Sequence, residues 1–281
     1  MAAGVSTEVA PPEKRSTWRA VRQAFVGAAA PVGGFIGGLG EHIILLGKTS
    51  FWLFRRPFRM RLFAEAAESV GLGSLPIIIL VGAFSGAVTS LQAVNAFRLL
   101  KAEGYSGSAV GLSLAVELAP VLTGLMLAGR VGSGIATELG TMRITEQIDA
   151  LETMAVSPIQ YLVTPRVVAG TLMTPILTMI FFMVGMVGAY VVAVLIMNVD
   201  GGQFIANFKW FVDPVDIEQG LIKSVIFGMM VTLIGCYQGY NAAGGGKGVG
   251  QATTRAVVMG SVTILVLDYF LSDVLYVILK R

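Results

Sequence analysis

Residues 69–97 read SVGLGSLPIIILVGAFSGAVTSLQAVNAF, 29 consecutive uncharged residues between Glu68 and Arg98. A bilayer core about 30 Å thick is crossed by about 20 apolar residues in a helix. This run is long enough, and its centre, Leu75-Pro76-Ile77-Ile78-Ile79-Leu80-Val81, carries no polar side chain. Two further runs match it: 33 uncharged residues between Arg166 and Asp200, and 23 between Lys223 and Lys247. Residues 104–129 are interrupted only by Glu117, and residues 256–279 only by Asp268 and Asp273. Five spanning helices are therefore predicted, at about 70–97, 106–134, 167–197, 220–241 and 256–279. The period-2 alternation of a membrane β-barrel is absent.

Composition agrees. Only 13% of the 281 residues are charged, against roughly 25% in an ordinary soluble domain. A free soluble globule and a disordered chain are both excluded. The single cysteine, Cys236, rules out a disulfide scaffold. The single histidine, His42, leaves almost no material for a His-built metal or proton-relay site. Neither a metal site nor a catalytic constellation is predicted.

Ahead of the spans, residues 1–16 read as a disordered tail, with no signal-peptide pattern. Residues 17–69 read as interfacial elements. They mix Trp18, Phe25, Phe35, Ile43, Phe51 and Trp52 with Arg19, Arg22, Glu41 and Lys48, as expected of an amphipathic helix lying along the membrane surface. The cluster Arg55-Arg56-Pro57-Phe58-Arg59-Met60-Arg61 would hold it to headgroups. Residues 70–281 form the five-helix domain.

Orientation follows from Lys/Arg asymmetry. With the N-terminus inside, the inner segments hold fourteen cations, Arg130, Arg143, Arg166, Lys247 and Arg255 among them. The outer side holds six: Arg98, Lys101, Lys209, Lys223, Lys280 and Arg281. The outer loop at 198–219 is acidic, with Asp200, Asp213, Asp216 and Glu218. An odd number of spans then places the C-terminus outside.

The inner segment between spans two and three is the most informative. From 144 to 155, Ile144, Ile148, Leu151 and Ala155 fall on one stripe at helical period, while Glu146, Asp149 and Glu152 occupy other faces. Pro158 is expected to end the helix. Such a helix can lie in a partner's groove or pack on its own membrane domain. The glycines before it, Gly129, Gly132 and Gly134, do not make a dinucleotide fingerprint. Gly244-Gly245-Gly246-Lys247-Gly248 is no phosphate loop, since Lys247 is followed by Gly. The chain shows no means of hydrolysing ATP.

The run from Gly129 to Glu152, with Met154-Ala155-Val156-Ser157-Pro158 after it, closely resembles the signature of the MlaE (YrbE-type) permease family. Glu117-Leu118-Ala119-Pro120-Val121, Leu221-Ile222-Lys223-Ser224-Val225-Ile226-Phe227, Asn241-Ala242, Ala252-Thr253-Thr254-Arg255 and Leu267-Asp268 match in order. The resemblance runs from about residue 35 to the C-terminus. It implies an MlaE-like permease fold, all-α. It also implies a permease subunit of an ABC transporter that moves phospholipids between the bacterial inner membrane and an MCE-domain partner. The expected partners are a second copy of the chain (a homodimer), a cytoplasmic MlaF-like ATPase that carries the ATP and Mg, and a hexameric MlaD-like MCE protein. An MlaB-like STAS regulator is a further one. No nucleic acid and no cofactor on this chain are expected. The C-terminus would be periplasmic. A secondary transporter would need coupling-ion sites and usually internal repeats, and no repeat is visible. A membrane scaffold without transport is the other alternative.

By that resemblance the 144–155 helix couples to the ATPase. Glu146, Gln147, Asp149 and Glu152 would make polar contacts, with Ile144, Ile148 and Leu151 as the buried stripe. The family's lipid cavity maps onto Leu91, Gln92, Val94, Asn95 and Phe97, although the residues after Leu91-Gln92 depart from the family pattern. Gln92 and Asn95 could meet a headgroup or be ordinary interface residues. Glu117 lies about eleven residues into span two. A mid-membrane carboxylate normally faces a cavity or a partner; it borders the lipid pathway or fixes packing, and the sequence offers no evident cation for it. Asp268, also near mid-depth, reads as a structural intramembrane residue.

Overall fold

The computed structural model describes residues 40–53 and 59–279. The predicted tail at 1–16, most of the predicted interfacial region and residues 55–58 of the basic cluster at 55–61 lie outside the described residues. The chain divides into two units, 1–44 and 45–281. Of the first, residues 40–44 are helical; residues 45–53 open the second unit as helix α1.

The fold is all-α, with no strand among the described residues. Five helices are long and apolar enough to cross a membrane: α2 (Met60–Arg98), α3 (Glu103–Ile144), α5 (Ile159–Ile196), α7 (Pro214–Tyr240) and α8 (Gly245–Leu279). Two short helices cap the ends. Helix α4 (Gln147–Thr153) links α3 to α5, and α6 (Gly201–Phe211) links α5 to α7 at the opposite end. These are called the α4 end and the α6 end.

Several boundaries differ from expectation. α2 begins ten residues early and α8 eleven, because amphipathic turns continue each span past its apolar core. The outer loop expected at 198–219 is mostly helix. Its acids start helices: Asp200 Oδ1 accepts from Gln203 N at 2.7 Å, and Asp213 with Asp216 forms a reciprocal capping box before α7.

Small residues bring the spans together. On α2 the positions Ile78, Gly82, Gly86, Ser90 and Val94 form one fully buried column, four residues apart. This column meets α5: a Cβ on Gly86 would collide with the Gly185 backbone, and Ser90 Oγ donates to Ala189 O at 2.9 Å. Gly228 of α7 lies equally close to Gly170 and Thr174 of α5. Close backbone approach by small residues is how helices associate where lipid removes the hydrophobic drive. α8 is the least buried span, with Val262, Leu265, Tyr269, Phe270 and Tyr276 all exposed.

α3 is not regular throughout. It widens into π-helical turns at Leu114–Leu118 and Ala128–Gly132. The charged residues Glu117 and Arg130 sit one in each. Such turns concentrate at functional sites.

Candidate functional site

Three helices converge on Lys223. The proline at 120 has no N–H, so the carbonyl four residues back, on Val116, receives no helical hydrogen bond from it. Lys223 Nζ from α7 fills that position, donating to Val116 O at 3.1 Å. The same ammonium lies 2.9 Å from Glu117 Oε1 and 3.0 Å from Asp268 Oδ1 of α8, and donates to Ser272 Oγ at 2.8 Å. Ser272 Oγ in turn stands 3.1 Å from Glu117 Oε1 and 2.8 Å from Asp268 O.

The Lys223 side chain is 0% exposed, Asp268 19% and Glu117 44%. The ammonium is thus sealed inside, and one carboxylate reaches an open groove of about 550 Å³ lined also by Gln219, Tyr269, Asp273 and Tyr276. A buried charge of this kind persists only when paired and fully hydrogen-bonded.

Glu117 therefore has the cation for which the sequence offered no candidate. Lys223 reads from the sequence as an outer flanking charge; it belongs inside the bundle. A signal was present. Asp213-Pro214 followed by Asp216 marks a helix start, and counting from Pro214 puts Lys223 about 14 Å into the span. Glu117 lies 14 residues past Glu103, about 21 Å from the α6 end of a 42-residue helix. All three charged groups are in the α6-side half of their helices.

The other expected pathway residues divide by face. Leu91, Gln92 and Asn95 are exposed, Phe97 is half-buried, and Val94 is fully buried in the column that packs on α5. Leu91, Gln92 and Asn95 thus share an exposed face of α2, and Val94 and Phe97 turn away from it.

At the other end, α4 is shorter than the predicted 144–155. Ile144 closes α3, Glu146 turns the chain at φ 59°, and α4 stops at Thr153. The stop is not Pro158. Val156 N donates to Leu151 O and Ala155 N to Glu152 O, both at 3.0 Å, with Ala155 left-handed at φ 57°. This is a Schellman motif with alanine where glycine is usual. The apolar stripe faces this chain's own helices: Ile148 is fully buried, Leu151 and Ile144 are half-buried, and Ala155 is exposed. Glu146, Gln147, Asp149 and Glu152 remain on the outside.

Two residues tie α4 to the spans. Arg143, from the end of α3, pairs with Asp149 and lies 5.9 Å over the Tyr240 ring at the end of α7. Tyr240 Oη donates to Glu152 Oε1 at 3.2 Å. Sequence reasoning missed both, because neither stands on the α4 stripe. Among the described residues no group of His, Cys, Asp and Glu is placed to hold a metal.

Comparison with known proteins extends over most of the chain. The family model described as Permease MlaE matches residues 63–274. A probable ABC transporter permease protein of Rickettsia felis is 41% identical over 224 residues, covering 80% of this chain and 86% of that protein. The intermembrane phospholipid transport system permease protein MlaE of Haemophilus influenzae is 38% identical over 256 residues, 86% of this chain and 97% of its own length. A chloroplast protein of Arabidopsis thaliana, trigalactosyldiacylglycerol 1, is 35% identical over 230 residues, 82% of this chain and 66% of that protein.

Proposed function

The chain belongs to the MlaE permease family, and on that premise we propose that it is the non-catalytic permease subunit of an ABC transporter that moves phospholipids. Its energy comes from a separate cytoplasmic ATPase, and an MCE-domain protein receives or supplies the lipid on the far side. Two copies form the working unit. It resides in the bacterial inner membrane, with the α4 end cytoplasmic and the C-terminus periplasmic. A regulatory subunit acting on the ATPase is compatible with this arrangement.

The observation that carries the reading is the construction of α4. A seven-residue helix presents Gln147, Asp149 and Glu152 outward and is fastened by Arg143 to α3 and by Tyr240 to α7. Those two helices also carry Glu117 and Lys223. Force applied by an ATPase at α4 is therefore delivered along packed helices to the charged cluster near the opposite face. The exposed apolar face of α8 supports a second copy or lipid alongside it. The exposed face of α2 with Leu91, Gln92 and Asn95 supports a lipid route at the α6 end.

Reconstitution tests this. Proteoliposomes holding the permease and its ATPase should move labelled phospholipid only when ATP is supplied. Movement that needs a proton gradient and no ATPase would replace this reading with a secondary transporter. Absence of any movement with a folded, ATP-hydrolysing complex would favour a scaffold.

A further inference from the structure

A cation on α3 stands apart from the ion pairs. Arg130 sits in the second π-helical turn of α3 and is exposed. Its Nη1 donates to two neutral acceptors on α2, Ser69 O at 3.2 Å and Ser74 Oγ at 2.9 Å. Among the described residues no carboxylate pairs with it, whereas Arg61, Arg98, Arg143 and Arg166 each have one. A guanidinium carries five donors in a planar fork. The donors on Nε and Nη2 have no acceptor among the described residues.

The seat is built for this side chain. A Cβ on Gly73 would stand 2.9 Å from Arg130 Cζ and Nη1 and would run into Nη2. The guanidinium lies against α2 only because residue 73 is glycine. It lines a cavity of about 590 Å³ between α2, α3 and α5, with Val70, Ile135 and Leu162 among the apolar walls. The cavity's other charges are satisfied: Glu138 pairs with Arg166 at 2.6 Å and Glu65 with Arg61 at 2.7 Å. Arg130 is what remains.

Depth identifies the ligand. Counting about 20 residues, one bilayer core, from Ser106 along α3 ends one turn short of Arg130. The same count back from Arg98 along α2 reaches Ile78, one turn short of Ser74. Both place the guanidinium at headgroup level on the α4 side, with apolar walls leading into the bilayer.

We propose that this cavity binds the phosphate diester of a phospholipid from the α4-side leaflet, with Nε and Nη2 of Arg130 as the paired donors. Bidentate donation to phosphate oxygens is the interaction for which a guanidinium is best shaped. The proposal rests on the phospholipid reading above and adds a lipid site on the cytoplasmic leaflet, distinct from the Lys223 cluster.

Native mass spectrometry of the delipidated full-length chain in a maltoside detergent tests it, by titration with dioleoylphosphatidylglycerol, dioleoylglycerol or inorganic phosphate. One phosphatidylglycerol site per chain should weaken about tenfold or more in Arg130→Gln. Arg130→Lys, which keeps the charge but loses the paired donors, should recover only part of the affinity. Gly73→Ala should weaken it with the charge still present. Glycerolipid without phosphate should fail to compete, and millimolar inorganic phosphate should not displace the lipid.

Unchanged lipid binding in a folded Arg130→Gln protein overturns the site. Displacement by free phosphate overturns the lipid as its occupant. A shift from dimer to monomer with lipid per chain unchanged makes Arg130 an interface residue instead. ATP-driven transport by the wild type, measured separately, keeps the two proposals apart. Transport with no Arg130-dependent binding rejects only this site, and Arg130-dependent binding with no transport rejects only the transporter reading.

Discussion

Helix α4 and the Lys223 cluster are both made of charged residues, but they are assembled in opposite ways. α4 takes its polar groups from seven consecutive residues and leaves them exposed. The Lys223 cluster draws on α3, α7 and α8, and its Glu117 and Ser272 are 155 positions apart. The membrane explains the difference. A charge at the protein surface needs no partner, and a pair there contributes at most about 1 kcal/mol. A charge inside the bilayer costs several kcal/mol unless it is matched, and matching requires other helices. The local device therefore suits a changeable contact with a partner. The long-range one holds spans in register.

The largest expected effect breaks that contrast at its stronger member. Lys223→Met leaves two carboxylates without their cation and the Val116 carbonyl without a donor. Removing one member of a buried ion pair costs about 3–5 kcal/mol, so the melting temperature in detergent should fall sharply. Adding Asp268→Asn and Glu117→Gln to Lys223→Met should recover much of the loss. A Lys223→Met protein that melts with the wild type would show that the cluster does not hold the helices. Next in size, Ile148→Ala removes a fully buried side chain from beneath α4, worth about 2–4 kcal/mol. The loss should be local, seen as faster amide exchange over 145–156 with little change in global melting. Ile148→Asp should undock α4 altogether, so that lost ATPase association follows from lost geometry rather than a lost contact. Smaller still for stability, Asp149→Ala with Glu152→Ala removes two exposed pairs, at a cost of about 1 kcal/mol or less. ATPase co-purification should nevertheless fall about tenfold, the loss expected for one or two charge-assisted hydrogen bonds.

The same contrast governs what could be read in advance. Five spans were legible because each is a contiguous apolar run, and α4 because its period is local. Ends were legible only where the apolar run itself ends, so α2 and α8 come out longer than expected and α6 appears where a loop was predicted. The pairing of Glu117 with Lys223 was not legible, since nothing near 117 in the chain says which turn of α7 will face it. Pro120 is visible in the sequence; its consequence, a Val116 carbonyl that a lysine fills, needs the fold. Arg130 likewise counted as one more inner cation until Ser69, Gly73 and Ser74 stood beside it. Val94 was grouped with its exposed neighbours because sequence proximity ignores helix face.

The smallest expected effect separates strain from contact at α4. Ala155 occupies the left-handed position of a Schellman stop, with Val156 N donating to Leu151 O across it. A non-glycine residue there carries about 1–2 kcal/mol of steric cost. Ala155→Gly removes it but loosens the unfolded chain by about 0.5–1 kcal/mol. The net gain should be under about 1 kcal/mol, visible as a melting shift of a degree or two upward or as slower exchange over 147–156. The informative measurement is the ATP-driven transport rate. If α4 acts only through its exposed polar groups, a relaxed stop leaves transport at the wild-type rate. A slower rate in a more stable protein would mean that the strained turn itself transmits the ATPase stroke, and α4 would then resemble the Lys223 cluster more than it differs from it.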